Sequence, residues 1–170
     1  GAQTTDLGYA RFPNGFGAFR IQAATFNSTN DIQSMTTGVV VNEILASNNS
    51  GQVDEAGDFE DWIELYNNNE TDIDLSGFYL TDNGESLQKW IMPAGTILPA
   101  KGYLIIWADE EQEEGALHTN FKLSAGGEAV ILSDPLITIL DSVVYGTQTT
   151  DMAYARIPNG VGWFVIQAPT

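Results

Sequence analysis

Nine carboxylates and no basic residue fall between Asp54 and Asp74: Asp54, Glu55, Asp58, Glu60, Asp61, Glu64, Glu70, Asp72 and Asp74. Like charges this close repel and raise one another's proton affinity, so such a run is either widely solvated or closed around a cation. The stretch 48–60 adds Asn48, Asn49 and Ser50 as oxygen donors and Gly51 and Gly57 as flexible points, a composition suited to the all-oxygen shell of calcium. The acids do not follow the alternating pattern, closed by a Glu, of an EF-hand loop. A solvated acidic loop is the favoured reading and no cofactor is required. If calcium binds, Asp54, Asp58 and Asp61 are its expected ligands.

A second run, Asp109-Glu110-Glu111-Gln112-Glu113-Glu114, reads as a solvated turn, because contiguous carboxylates point in divergent directions. It would still attract a basic partner. His118 is the only histidine, so imidazole chemistry has one available centre. No nucleophile elbow accompanies it, and a positional role is expected. A glycosidase would need two carboxylates facing each other across a cleft, and a small sandwich without inserted loops offers little cleft. Four tryptophans could stack on sugar faces, but Trp62, Trp107 and Trp163 sit among alternating apolar neighbours and read as interior. Trp90, between Lys89 and Ile91, is the weakest candidate for burial. The N-x-S/T triplets at Asn27, Asn48 and Asn69 matter only in a eukaryotic secretory setting.

Positioning these groups requires a folded scaffold, and 170 residues with 43% hydrophobic content suffice for one core. The balance of 23 acids against 6 Lys and Arg gives a formal charge of -17, which disfavours nucleic acid and anionic membranes and favours cations or basic surfaces. Acidity is localised: residues 43–114 hold 17 acids against Lys89 and Lys101. No cysteine is present, which excludes disulfides, thiolate catalysis and cysteine-bound metals. No apolar run is long enough for a membrane helix, and the first residues do not resemble a signal peptide, so an export signal is expected upstream of this fragment.

Residues 1–25 align without a gap to residues 146–170, agreeing at 17 of 25 positions. The offset is about one domain length. Residues 1–25 therefore read as the C-terminal fragment of a preceding copy, 26–37 as a polar linker, and 38–170 as a complete module. Where the copies differ, Trp163 stands for Ala18 and Val165 for Arg20. The later copy is expected to complete the core, while 1–25 pairs elsewhere, with strand-mediated self-association as one outlet. Within 38–170, short β-branched and aromatic runs punctuated by turn signals predict an all-β, antiparallel sandwich.

The strings Asp61-Trp62-Ile63-Glu64-Leu65-Tyr66-Asn67 and Asp74-Leu75-Ser76-Gly77-Phe78-Tyr79-Leu80 resemble the lamin-tail domain family. The resemblance continues through Gly102-Tyr103-Leu104-Ile105-Ile106-Trp107, Leu117-His118-Thr119-Asn120-Phe121, Asp141-Ser142-Val143-Val144-Tyr145 and Tyr154-Ala155-Arg156-Ile157-Pro158. It implies an immunoglobulin-like β-sandwich. The chain has no heptad rod, basic localisation run or prenylation box, so the bacterial, extracytoplasmic type fits better than the nuclear filament type. The resemblance thus implies a non-catalytic interaction or spacer module of a larger exported or cell-surface protein; the charge and the short apolar runs argue against nucleic acid and membrane insertion, and a protein or polysaccharide partner is expected but not identified. The alternative is a calcium-dependent carbohydrate- or protein-binding module using the acidic loop 48–64.

Overall fold

The computed structural model describes the strands 7–12 and 18–23 and every residue from 38 to 170. The chain divides into two units, Gly1–Met35 and Thr36–Thr170. In the first, β1 (Leu7–Phe12) and β2 (Ala18–Ala23) form an antiparallel hairpin. The expected linker, 26–37, lies outside the described residues.

The second unit holds β3 (Val39–Leu45), β4 (Trp62–Asn67), β5 (Ile73–Asp74), β6 (Tyr79–Thr81), β7 (Trp90–Ile91) and β8 (Ile97–Leu98). It continues with β9 (Tyr103–Trp107), β10 (Glu128–Ser133), β11 (Ile139–Tyr145), β12 (Ala153–Ile157) and β13 (Trp163–Gln167). A five-stranded sheet runs β13-β12-β3-β4-β9 and a four-stranded sheet runs β11-β10-β6-β7, every pairing antiparallel. The short pair β5-β8 stands apart from both sheets. This is the immunoglobulin-like β-sandwich that the alternating apolar runs and the family resemblance implied. No helix long and apolar enough to cross a membrane occurs among the described residues.

Strand alternation decides which side chains fill the space between the sheets. From β4 come Ile63 and Leu65, from β9 Ile106, and from the second sheet Leu80, Trp90, Val130, Leu132, Val143 and Tyr145. In β3 the inward positions are Val39 and Val41 and then Ile44, followed just past the strand by Ala46, a change of parity. A β-bulge between Val41 and Glu43 causes it: Asn42 is the extra residue, and beyond it every side chain of β3 changes face. The bulge thereby turns Glu43 and Leu45 to the outer face of the five-stranded sheet.

Asn42 is held where it is. Its side chain donates to Glu64 Oε1 at 2.8 Å and accepts the Gly160 N–H at 2.8 Å. Gly160 lies at φ +74°, and a Cβ there would stand 2.6 Å from the Tyr66 ring, so only glycine fits. Arg156 joins the two sheets by donating to both Asp141 oxygens, at 3.1 and 2.9 Å, and to the Val41 carbonyl at 2.9 Å, while its guanidinium lies over the Phe164 ring.

One aromatic that the sequence left open is decided and one differs from expectation. Trp90, the weakest candidate for burial, is buried in the core between the sheets. Trp163, expected inside, is 43% exposed, and Val165 is 41% exposed. The reason is position: β13 ends the five-stranded sheet, with β12 as its strand neighbour there, so alternation alone overstated its burial. Segment 146–170 packs Tyr154 and Phe164 against the core between the sheets, while its Ala153 joins the apolar cluster on the outer face. Its strands pair in the same register as β1 and β2: Tyr9 with Ile21 and Ala10 with Arg20, then Tyr154 with Ile166 and Ala155 with Val165.

Candidate functional site

The outer face of β3, β4 and β9 carries two cross-strand rows. Leu45 pairs with Trp62 and Trp62 with Trp107, forming with Ala153 and Ile105 a second apolar cluster. Beside it Glu43 pairs with Glu64 and Glu64 with Ile105. Two like charges directly opposite on one face are unfavourable. Both are buried, and burial pushes each carboxyl up, Glu64 to about 6, where the Asn42 amide works in the other direction. Thr170 caps Glu43, its hydroxyl donating to Oε2 at 2.7 Å.

Three segments surround this face: loop 48–60, turn 109–118 and the residues Pro169 and Thr170. Between them is a cleft of about 780 Å³ with Trp62, Ile105, Trp107 and Leu117 as apolar lining and Asp54, Glu55 and Glu64 as acidic lining. Loop 48–60 is fixed mainly by Asn48, which is buried. Its amide donates to the carbonyls of Gln52 at 2.7 Å and Glu60 at 2.9 Å, and its oxygen accepts the Gly51 N–H. Asp151 anchors the same loop from β12's side by accepting from Asn49 and Ser50.

Turn 109–118 is closed by a parallel bridge. The Trp107 N–H donates to the Leu117 carbonyl at 2.9 Å and the Thr119 N–H donates to the Trp107 carbonyl at 2.8 Å, which brings His118 back to the end of β9. There the His118 Nδ1 meets Asp109 Oδ2 in a short, fully buried contact, and Nε2 lies 3.2 Å from Glu55 Oε2. Burial works to lower the His118 imidazole, but the two carboxylates outweigh it and hold it above its ordinary value. Gly115 makes room for the ring: a Cβ there would stand 2.6 Å from His118 Cδ2.

The three residues expected to ligate a metal are placed differently from one another. Asp54 is buried, with Oδ1 accepting the N–H groups of Ala56, Gly57 and Asp58 at 2.9, 2.8 and 2.9 Å, while Oδ2 is buried and has no hydrogen-bond partner. Burial works to raise this carboxyl, and the backbone donors with the nearby His118 bring it below its usual range. Asp58 is exposed and contributes its backbone to that turn. Asp61 is half-buried, accepts the Asn48 N–H at 3.2 Å, and is pushed up to about 6 by burial. Asp54 instead gathers with Glu114 and His118, whose ligating atoms all lie within 4.8 Å of one another.

The acidic turn is thus not uniformly solvated, as its composition implied. Asp109 is buried because it follows β9 by one residue, Ala108, and meets the returning His118, while the turn folds back with the Glu111 N–H on Asp109 Oδ1 and the Glu114 N–H on the Glu111 carbonyl. The signal for this was an acid at the end of the dense apolar run Tyr103 to Ala108, with the chain's one imidazole nine residues on.

The lamin tail domain family model matches residues 32–147. The chain belongs to the lamin tail domain family. The matched span runs from β3 through β11 and includes both the β4–β9 ladder and the His118 turn, whereas β12 and β13 lie beyond it. No curated protein and no solved structure matches the chain. In this lamin tail domain the motif Asp61–Asn67 is the strand that lays Trp62 and Glu64 on the outer face, and Leu117–Phe121 is the segment that delivers His118.

Proposed function

We propose that this lamin tail domain is a non-catalytic interaction module of a larger exported or cell-surface protein, and that it takes a basic protein segment in the outer-sheet cleft. The observation that carries this reading is the cleft itself, in which indole and aliphatic surface lies directly beside three carboxylates. Such a lining suits a segment that alternates apolar and cationic side chains, the carboxylates attracting Lys or Arg while the apolar lining accepts the intervening residue. The formal charge of -17 supports the same direction, since it steers cationic partners in and keeps nucleic acid and anionic lipid away. The tandem reading of the parent protein is part of the proposal. It is supported by the sequence repeat and by the shared register of the two hairpins.

An NMR titration of the isotope-labelled chain tests the cleft. Peptides alternating Lys and Leu are added, with neutral oligosaccharides as the comparison. The expected result is a shift of the Trp62 and Trp107 indole signals with the peptides, reduced by Glu55→Lys. Shifts confined to residues outside the cleft would contradict the proposal. Labelling of the module by an impermeant reagent on intact source cells tests its location, and protection until lysis would count against a surface position.

A further inference from the structure

We propose that Asp54, Glu114 and His118 form a binding site for a divalent transition-metal ion of the zinc class, with Asp109 orienting the imidazole from behind. The inference stands apart from the cleft's partner and rests on three observations.

The first is the histidine. Asp109 and His118 are both buried, and the Asp109 carboxylate takes the Nδ1 side of the ring. A metal-binding histidine is ordinarily held in this way, a carboxylate on one ring nitrogen fixing the tautomer and directing the other nitrogen to the metal. Asp109 is itself fixed, because its Oδ1 accepts the Glu111 N–H at 3.0 Å. Gly115 spares the Cδ2–Nε2 edge of the ring, where a Cβ would stand 3.0 Å from Nε2, and Glu55 Oε2 is the acidic group that now faces Nε2, at 3.2 Å.

The second is Asp54. Its Oδ2 is buried and unpartnered on a residue only 8% exposed, while Oδ1 already accepts three backbone N–H groups. A buried carboxylate oxygen left without a donor is costly, and a cation held between Asp54 and His118 satisfies it.

The third is the donor set. One ligating atom from each of Asp54, Glu114 and His118 falls within 4.8 Å of the others, and these come from two separate loops closed on the same sheet face. Metal–ligand distances of about 2.0–2.2 Å put the ligand atoms of a tetrahedral zinc roughly 3.5 Å apart, so binding draws the three closer together, a movement that the exposed Glu114 side chain allows. An imidazole with two carboxylates suits zinc and its neighbours, whereas calcium selects an all-oxygen shell. Glu55 lies 3.2 Å from His118 Nε2 with its side chain 69% exposed, so it is free to move aside or to become a fourth ligand.

The test uses the full 170-residue chain, stripped with a chelator and titrated calorimetrically with zinc alone and with calcium alone. The expected result is one zinc per chain, weakened at least about tenfold in Glu114→Gln and in Asp54→Asn, and about 10–100-fold in Asp109→Asn, which removes no ligand. Because Glu114 is exposed, its variant folds normally and decides the outcome if Asp54→Asn is unstable. ¹⁵N NMR of the single histidine should show zinc moving the Nε2 signal while Nδ1 keeps its proton. Zinc affinity unchanged in Glu114→Gln, an Nε2 signal that zinc leaves in place, or calcium binding where zinc does not would each overturn the assignment.

Discussion

Replacing Glu64 by Gln removes one of two facing buried carboxylates without removing any hydrogen bond, since the Asn42 amide that donates to Glu64 Oε1 at 2.8 Å can donate equally to a Gln oxygen. Burial, with the opposing Glu43 adding to it, raises the Glu64 carboxyl from its ordinary 4.5 to about 6. A raised acid costs stability wherever the unfolded chain is ionised and the folded chain resists ionisation. The contribution is therefore neutral below about pH 4.5 and turns unfavourable as pH rises toward 6. The difference corresponds to about 2 kcal/mol at neutral pH, at about 1.4 kcal/mol per pH unit. Gln also has to be desolvated, so Glu64→Gln should stabilise the module by about 1–2 kcal/mol at pH 7, or roughly 3–6 °C in Tm. At pH 4 the gain should vanish. Thermal and urea unfolding of both proteins at the two pH values measure this directly. An equal gain at pH 4 and pH 7, or a loss at pH 7, would refute the electrostatic reasoning.

Gly115→Ala should force the His118 ring away from Asp109 and cost about 1–3 kcal/mol, read by chemical denaturation. Arg156→Lys keeps the charge but loses the planar fork that reaches both Asp141 oxygens and the Val41 carbonyl. A loss of about 1.5–3 kcal/mol is expected in the same assay. Deleting residues 1–30 should leave the melting transition of the remaining unit almost unchanged, and calorimetry showing loss of folding would defeat the separation of the two units.

The two sheets were legible because short β-branched and aromatic runs carry both strand identity and facing. The strings around Trp62 and Trp107 proved to be direct neighbours in one sheet. What escaped the sequence depends on contacts between distant residues or on a shift of phase. The bulge at Asn42 is invisible in the run Val39 to Leu45, because nothing local says which residue is skipped, and the skip alone puts Glu43 opposite Glu64. Trp163 looked interior for the same alternation that correctly buried Trp62, and only the strand order shows that β13 has a neighbour on one side. The acidic loop was read as a single patch. In three dimensions Asp54 turns inward, Asp58 outward, and the partners of Asp54 come from the second acidic run and from His118.

The acidic turn and the metal site built on it depend on one arrangement, the buried contact of Asp109 with His118 at the end of β9. Because His118 is the chain's only histidine, NMR of its imidazole reports on that arrangement without interference. A slowly exchanging Nδ1–H signal, close to the Trp107 ring, with the imidazole titrating above the ordinary 6.5, is the expected result. A fast-exchanging ring that titrates at or below 6.5 would contradict it.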